Sequence, residues 1–130
     1  RAMAQPTDRK YSRTHEWALL AGDVVTVGIT QFAQEQLGDV VFVELPAIGA
    51  AVAPGKACGN IESVKAVSEV FSPVAGEVIE VNTVREAHPE LINKEPFGEG
   101  WLMRVKVVAG AAAGLMDAAA YEKFLAEEGH

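Results

Sequence analysis

Short valine-rich runs, each bounded by a turn signal, limit most strongly how this chain can fold. Two of them, "GDVVTVGIT" at 22–30 and "GDVVFVELP" at 38–46, begin with the same four letters. Runs of four to eight β-branched and aromatic residues between glycine, proline and aspartate are typical of β-strands. Because these runs do not alternate regularly with long helices, the chain predicts a mainly β protein rather than a parallel α/β sheet.

About seven or eight strands of this kind follow one another at close spacing, which favours a β-sandwich or flattened barrel with peripheral helices. A Gly22-Asp23 turn joins the first two strands as a hairpin, and a Pro54-Gly55 turn leads into a later strand. The strand candidates are 15–20, 24–29, 38–46, 51–63, 66–73, 75–83 and 101–108.

A short helix is predicted near 30–37, because apolar residues recur at i, i+4 and i+8 from Ile29. Thr30 is suited to cap its start, and Gly38 is suited to end it in a left-handed conformation. Between 84 and 91 a short helical or irregular segment is predicted, broken by Pro89.

A second helix is predicted at the C-terminal end, over 115–128, with Asp117 as its N-cap. Its apolar stripe consists of Ala118, Tyr121, Phe124 and Leu125.

The length of 130 residues fits one compact domain, which we expect to span 11–130. The sequence begins Arg1-Ala2 before Met3, and we interpret residues 1–10 as a tail that includes a remnant of expression cloning. Neither a signal peptide nor a transit peptide is evident, so a bacterial cytoplasm is expected, or the mitochondrial matrix if the source is eukaryotic.

The acidic composition excludes several kinds of partner. A formal charge of -7 repels phosphate backbones, so nucleic acid is not an expected partner. Protein partners with basic faces are expected instead.

No apolar run approaches the roughly 20 residues that span a bilayer, so no membrane is expected. Cys58 is the only cysteine, and we interpret it as a small buried hydrophobic residue.

No set of catalytic or metal-binding residues is recognisable. His15, His88 and His130 are scattered, without the spacing to carboxylates or cysteine that a metal site needs. A GxSxG nucleophile elbow, a P-loop and a dinucleotide fingerprint are all missing from the sequence. We therefore expect a non-catalytic protein without a metal.

Lys65 has an unusual setting, between two predicted strands and flanked by Glu62 and Glu69. A lysine at such a tip is expected to stand away from the domain and to be hydrated, which disfavours Schiff-base chemistry. The position instead offers access to a modifying enzyme. Spacing alone leaves two interpretations of Lys65 open, an ordinary surface charge on a hairpin and a site of modification. Of these it favours the surface charge.

The segment "ESVKAVSEVFSPVAGEV" at 62–78 resembles the lipoyl-attachment segment of glycine cleavage system H proteins. The resemblance continues in the same order along nearly the whole chain. The further matching segments are "THEW" at 14–17, "VGIT" at 27–30, "AQEQLGDVVFVELP" at 33–46, "PELIN" at 89–93 and "PFGEGWL" at 96–102.

The resemblance implies a lipoyl-domain-like barrel-sandwich hybrid that carries lipoate in amide linkage on Lys65. Glu62 and Gly76 belong to the same attachment pattern, and are implied to help a lipoate ligase or lipoyl transferase find the lysine. The carrier is implied to be a monomer without catalytic residues of its own.

Three partner enzymes are implied. A pyridoxal-phosphate-dependent glycine decarboxylase, the P protein, loads the arm with the aminomethyl group of glycine. A tetrahydrofolate-dependent aminomethyltransferase, the T protein, unloads it, and dihydrolipoamide dehydrogenase, the L protein, reoxidises it.

By position in the family, Thr14, Glu16 and Glu69 line a cleft into which the loaded arm folds, where carboxylates suit a cationic amine. This chain departs from the family twice. Glu69 stands where aspartate is common, which keeps the charge on a longer side chain. Phe32 stands where histidine or tyrosine is common, so no polar role is carried over to it.

Several other functions are alternatives to a carrier of the glycine cleavage system. A related protein that relays lipoyl groups to other complexes is not separable by sequence. A biotinyl domain usually has methionine on both sides of the lysine, where this chain has Val64 and Ala66, and lipoyl domains of 2-oxo acid dehydrogenases usually show "DKA". A non-lipoylated interaction module is the alternative of a different class.

Overall fold

The computed structural model describes residues 6–83 and 87–127. Within them the chain forms nine strands and three helices. The strands are β1 Lys10–Tyr11, β2 Glu16–Ala21, β3 Val24–Ile29, β4 Val40–Glu44, β5 Ala51–Val52, β6 Ala57–Ser63, β7 Val67–Phe71, β8 Gly76–Val81 and β9 Met103–Lys106. The helices are α1 Gln31–Leu37, α2 Leu91–Lys94 and α3 Ala118–Glu127.

Two antiparallel sheets carry the architecture. The larger has six strands in the order β1-β2-β3-β9-β8-β5, and the smaller has three in the order β4-β6-β7. Each strand is short and most connections are tight, as the turn signals of the sequence require. The mainly β class predicted from the sequence is confirmed.

Each sheet has its own apolar cluster, and half-buried Cys58 packs against both. The six-stranded sheet buries residues that include Val25, Val27, Val78, Met103 and Val105. The second cluster joins Ile29, at the end of β3, and Leu102, before β9, to residues of the three-stranded sheet and of α1 and α2, which include Leu37, Val43, Ile61, Val70 and Ile92.

A third cluster fastens α3 to the first strands. Tyr121 of α3 stacks on Tyr11 of β1, with ring centroids 4.8 Å apart, and Trp17 of β2 belongs to the same cluster. The predicted stripe of α3 faces this cluster, and Asp117 accepts a hydrogen bond at the start of the helix from the amide of Ala120. Tertiary packing of this kind, rather than intrinsic helix propensity, provides most of the stability of such a helix.

The caps of α1 follow the sequence. The Thr30 hydroxyl accepts a hydrogen bond from the Ala33 amide, and Gly38 ends the helix with φ 79°. The ψ of Gly38 is -160°, so the predicted left-handed conformation is correct in φ alone, and the chain turns directly into an extended run.

Two segments differ from their predictions. Ala51–Val52 forms a strand of its own that pairs with β8 in the six-stranded sheet, whereas Ala57–Ser63, beyond the Pro54-Gly55 turn, pairs with β4 in the other sheet. A helix at Leu91–Lys94, after Pro89, extends beyond the helical or irregular segment predicted over 84–91, of which Ala87 is helical. Residues 84–86 of that prediction lie outside the described residues.

The strand β1 begins at Lys10, close to the predicted start of the domain at residue 11. The division into a tail over 1–10 and one domain over 11–130 stays a prediction. Among the helices described, none has the length and apolar character needed to cross a bilayer.

Candidate functional site

Lys65 lies in the turn between β6 and β7, and Ser63 fixes the shape of that turn. The Ser63 amide donates to the Ala66 carbonyl over 2.8 Å. The Ser63 hydroxyl oxygen in turn accepts hydrogen bonds from the amides of Ala66, at 3.0 Å, and of Lys65, at 3.3 Å. A serine that bonds its own turn in this way holds the backbone of an otherwise exposed loop.

The turn also rests on the junction between α1 and β4. The Val64 amide donates to the Asp39 carbonyl over 3.0 Å. A Cβ atom placed on Gly38 would lie 3.3 Å from Cε of Lys65, so the stem of the lysine runs close over this glycine. The expectation that Lys65 stands away from the domain is therefore wrong for its stem, because Gly38 has no side chain to keep it off.

A cavity of about 290 Å³ opens beside this turn. Ala66, next to Lys65, lines it, and so do all three residues predicted for a cleft, Thr14, Glu16 and Glu69. Its remaining lining residues are His15, Ile29, Phe32, Ala33, Gln36, Leu37, Ile61, Ser68 and Val70. The fold thus brings together residues that are more than fifty positions apart in the sequence.

Glu16 is the buried acid of this cavity, with 2 % of its surface exposed. Its carboxylate accepts hydrogen bonds from the hydroxyls of Thr14 and of Ser12, the latter at 2.9 Å, and from the Phe71 amide at 3.3 Å. Burial disfavours the charged form more than these donors favour it, and raises the pKa of Glu16 to about 7. The group can therefore gain or lose a proton near neutral pH.

Glu69 differs from Glu16 in its surroundings, since it is exposed on the edge strand β7. Across the sheet it pairs with Asn60. The two acids therefore offer the cavity one buried carboxyl group and one hydrated carboxylate.

His15 lines the cavity and was not among the predicted site residues. Its φ of 72° is unusual for a residue with a side chain, and turns the ring towards Phe32, at 4.6 Å between centroids. Its Nδ1 lies 2.8 Å from the hydroxyl of Tyr121 on α3. The sequence carried a signal for His15 only in its position inside "THEW", and none for the contact with Tyr121.

Glu62 and Gly76 do not line the cavity. Glu62 is exposed on β6, where it pairs with Val67 on β7. Gly76 lies in the other sheet, and a Cβ atom there would overlap the carbonyl oxygen of Lys106. The packing of β8 against β9 therefore requires a glycine at position 76, independently of any role in recognition.

Among residues 6–83 and 87–127, no three His, Cys, Asp or Glu side chains are grouped so that they could hold a metal ion. Cys58 is half-buried, and burial, with a smaller effect of the Glu16 charge, raises the pKa of its thiol to about 11. This thiol does not lie in the cavity beside Lys65.

Comparison with known proteins gives one consistent result. A family model described as "Glycine cleavage H-protein" matches residues 9–128. A glycine cleavage system H protein of Beutenbergia cavernae is 57% identical over 119 residues, which are 92% of this chain and 94% of that protein. One of Thermus thermophilus is 52% identical over 124 residues, covering 95% of this chain and 97% of that protein.

Among solved structures, a glycine cleavage system H protein from Mycobacterium marinum superimposes with a TM-score of 0.85. The two are 39% identical, and the match covers 97% of this chain and all of the other. The likeness confirms the predicted fold class, a mainly β barrel-sandwich hybrid with peripheral helices.

Proposed function

The chain belongs to the glycine cleavage H-protein family, the lipoyl carriers of the glycine cleavage system, and we propose that Lys65 is the residue to which its lipoate is attached. The observation that carries this proposal is the position of Lys65. It lies in a turn held by Ser63 and Asp39, directly beside a cavity. A fixed backbone presents the lysine to a modifying enzyme, and the cavity lies within reach of a group attached there.

The size and the chemistry of the cavity support this proposal. Its volume of about 290 Å³ lies near the lower end of pockets that hold small molecules. Apolar side chains that include Ile29, Phe32 and Leu37 suit a hydrocarbon chain and exclude water. The attached group, when present, supplies a dithiolane whose sulfur carries the aminomethyl group of glycine between enzymes.

The polar residues of the cavity suit a cationic amine at the end of that arm. We propose that the carboxylates of Glu16 and Glu69 accept its hydrogen bonds, and that Thr14 orients Glu16 through the bond it donates. A cation beside Glu16 favours its charged form and so draws its pKa down from about 7. Filling the cleft with a cation therefore releases the proton of Glu16.

Glu62 and Gly76 are proposed to serve attachment. The exposed carboxylate of Glu62 lies three residues before Lys65 on β6, where an enzyme that binds the turn would meet it. Gly76 is proposed to contribute to recognition through the close packing of β8 on β9, which keeps this end of the domain in shape.

As partners we propose the P protein, the T protein, the L protein and a lipoate ligase or lipoyl transferase. The ligase or transferase attaches the arm, and the other three enzymes act on it in turn. We also propose that the carrier has no catalytic set of its own and is a monomer. Its relatives include proteins of Beutenbergia and Thermus, and we propose a bacterial cytoplasm as its location.

Intact-mass measurement after co-expression with a lipoate ligase tests the proposal. The wild type is expected to gain the mass of one lipoyl group, and Lys65→Arg to gain none. Lys56→Arg is the matched control, because Lys56 is also exposed and lies in a turn before β6. A wild type that stays unmodified, or a Lys65→Arg protein that gains the same mass, would overturn the proposal.

A further inference from the structure

Four bulky apolar side chains are exposed around the turn that holds Lys65. Val41, Phe42, Val64 and Val67 expose between 51 and 72 % of their surfaces. Other valines of the same strands, Val43 and Val70, lie in the core, so the strands have a buried side as well as this exposed one. Grouped apolar exposure on a small protein is typical of an interaction surface.

The strand register places two of these residues, Phe42 and Val67, on one surface, whereas Val41 has no partner in the register. Phe42 pairs with Glu62, and Glu62 pairs with Val67, so the three side chains stand in one row across β4, β6 and β7. Val64 follows in the turn beyond β6. We call Phe42, Glu62, Val64 and Val67 the hairpin face.

The charges around the hairpin face have one sign. The next row on the same face, two residues along each strand, consists of Glu44, Asn60 and Glu69. Within residues 40–44 and 57–71 the only cation is Lys65, and an amide bond at its Nζ removes that charge. The surface is therefore apolar in its centre and anionic at its rim, which matches a partner with an apolar depression bordered by arginine or lysine.

We propose that the hairpin face is the docking surface of the enzyme that acylates Lys65, with Phe42 and Val67 as its two anchors. The proposal rests on the proposed attachment of lipoate. An enzyme that forms a bond at Nζ must bring its own reacting atom within bonding distance, and so must cover the surface around the lysine. An enzyme that acts on the far sulfur end of the arm stands a full arm's length away.

The reaction itself needs no residue of the hairpin face as a catalyst. Nζ of Lys65, after losing a proton to a base of the enzyme, attacks the acyl carbon of a mixed anhydride between lipoate and a nucleotide phosphate. A C–N bond forms, the C–O bond of the anhydride breaks, and the nucleotide leaves with the electron pair. Nothing is oxidised or reduced, and the face contributes binding alone.

Threonine substitutions test the anchors without disturbing the strands. Val67→Thr keeps the shape of the side chain, and Phe42→Thr keeps a residue that favours strands. The control is Val108→Thr, because Val108 is 79 % exposed but lies after β9, outside the three-stranded sheet. The measurement is kcat/KM of lipoylation by a purified lipoate ligase, followed by intact mass.

Each single substitution is expected to lower kcat/KM about tenfold, as the loss of one buried anchor does, and the control to change it less than twofold. All variants are expected to reach full lipoylation with excess ligase. Once lipoylated, they are expected to be reduced by NADH and dihydrolipoamide dehydrogenase, run in reverse of its usual direction, with a kcat/KM within twofold of the wild type.

Two outcomes would overturn the docking surface while leaving the attachment site intact. One is a Phe42→Thr and a Val67→Thr protein lipoylated as fast as the control. The other is a wild type that elutes as a dimer in size-exclusion chromatography while both variants elute as monomers, since the face would then bind a second copy. Failure of the attachment proposal looks different, because no variant would gain mass at all.

Discussion

Nδ1 of His15 and the phenol oxygen of Tyr121 lie 2.8 Å apart, which links the cavity beside Lys65 to the C-terminal helix. The same phenol oxygen lies 2.8 Å from the hydroxyl of Thr30, the N-cap of α1. His15 lies in the loop that carries one wall of the cavity, and α1 forms another. One buried hydroxyl thus positions two walls against each other.

Tyr121→Phe is expected to loosen both walls without unfolding the protein. The variant keeps the stacked ring but loses two hydrogen bonds, and a cost of about 1–3 kcal/mol is expected for buried polar groups left without this partner. Amide hydrogen exchange is expected to accelerate in residues 12–16 and in the first turn of α1. Heteronuclear NMR of the His15 ring is expected to report a changed tautomer balance.

Tyr11→Phe is the matched control for that experiment. Tyr11 is the other ring of the stacked pair, and its hydroxyl donates to the Pro6 carbonyl rather than towards the cavity. Loss of the Tyr11 hydroxyl is expected to lower the stability of the protein without accelerating amide hydrogen exchange in residues 12–16. Equal exchange in the two variants would show that Tyr121 does no more than pack.

Glu16 is expected to make the protein less stable as the pH rises towards 8. Its native pKa of about 7 lies above the usual value of 4.5, so the native state holds its proton more tightly than the unfolded state does. The stabilisation is complete below pH 4.5 and is lost as the pH rises through 7, by about 3 kcal/mol for a shift of this size. Denaturant unfolding at several pH values measures it.

Glu16→Gln provides the comparison, since the amide oxygen still accepts hydrogen bonds and the group no longer titrates. Its free energy of unfolding is expected to exceed that of the wild type at pH 8 and to approach it at pH 5. If the difference between the two proteins stays constant across this range, the buried carboxyl group does not titrate near neutral pH.

Gly76→Ala is expected to destabilise the protein by about 2–4 kcal/mol, because the new Cβ atom meets the backbone oxygen of Lys106, which cannot move without separating β8 from β9. Gly114→Ala is the control, since a Cβ atom there meets nothing within 4 Å. Thermal unfolding compares the two. Lipoylation rates measured well below the unfolding midpoints of both variants then separate loss of recognition from loss of folding. An unchanged unfolding midpoint for Gly76→Ala would contradict the packing argument.

The sequence predicts local features of this fold better than distant contacts. The cap at Thr30 and the strand at Val24–Ile29 depend on neighbours within a few residues, and short-range patterns report them. The cavity joins Thr14 to Glu69, and no periodicity reports a contact across that interval; resemblance to a family supplied those positions. The stripe of α3 predicted that Tyr121 is buried, but not which groups its hydroxyl meets.

Cys58 is expected to be almost inert in the native protein. With a thiol pKa of about 11, roughly one thiol in a thousand is ionised at pH 8, and the thiolate is the form that attacks disulfides. Unfolding removes the burial that raises this pKa. The rate with an aromatic disulfide reagent at pH 8 is expected to rise about a hundredfold in denaturant, where the thiol regains its usual pKa of about 9. Equal rates in the two states would mean that Cys58 is open to exchange with the arm.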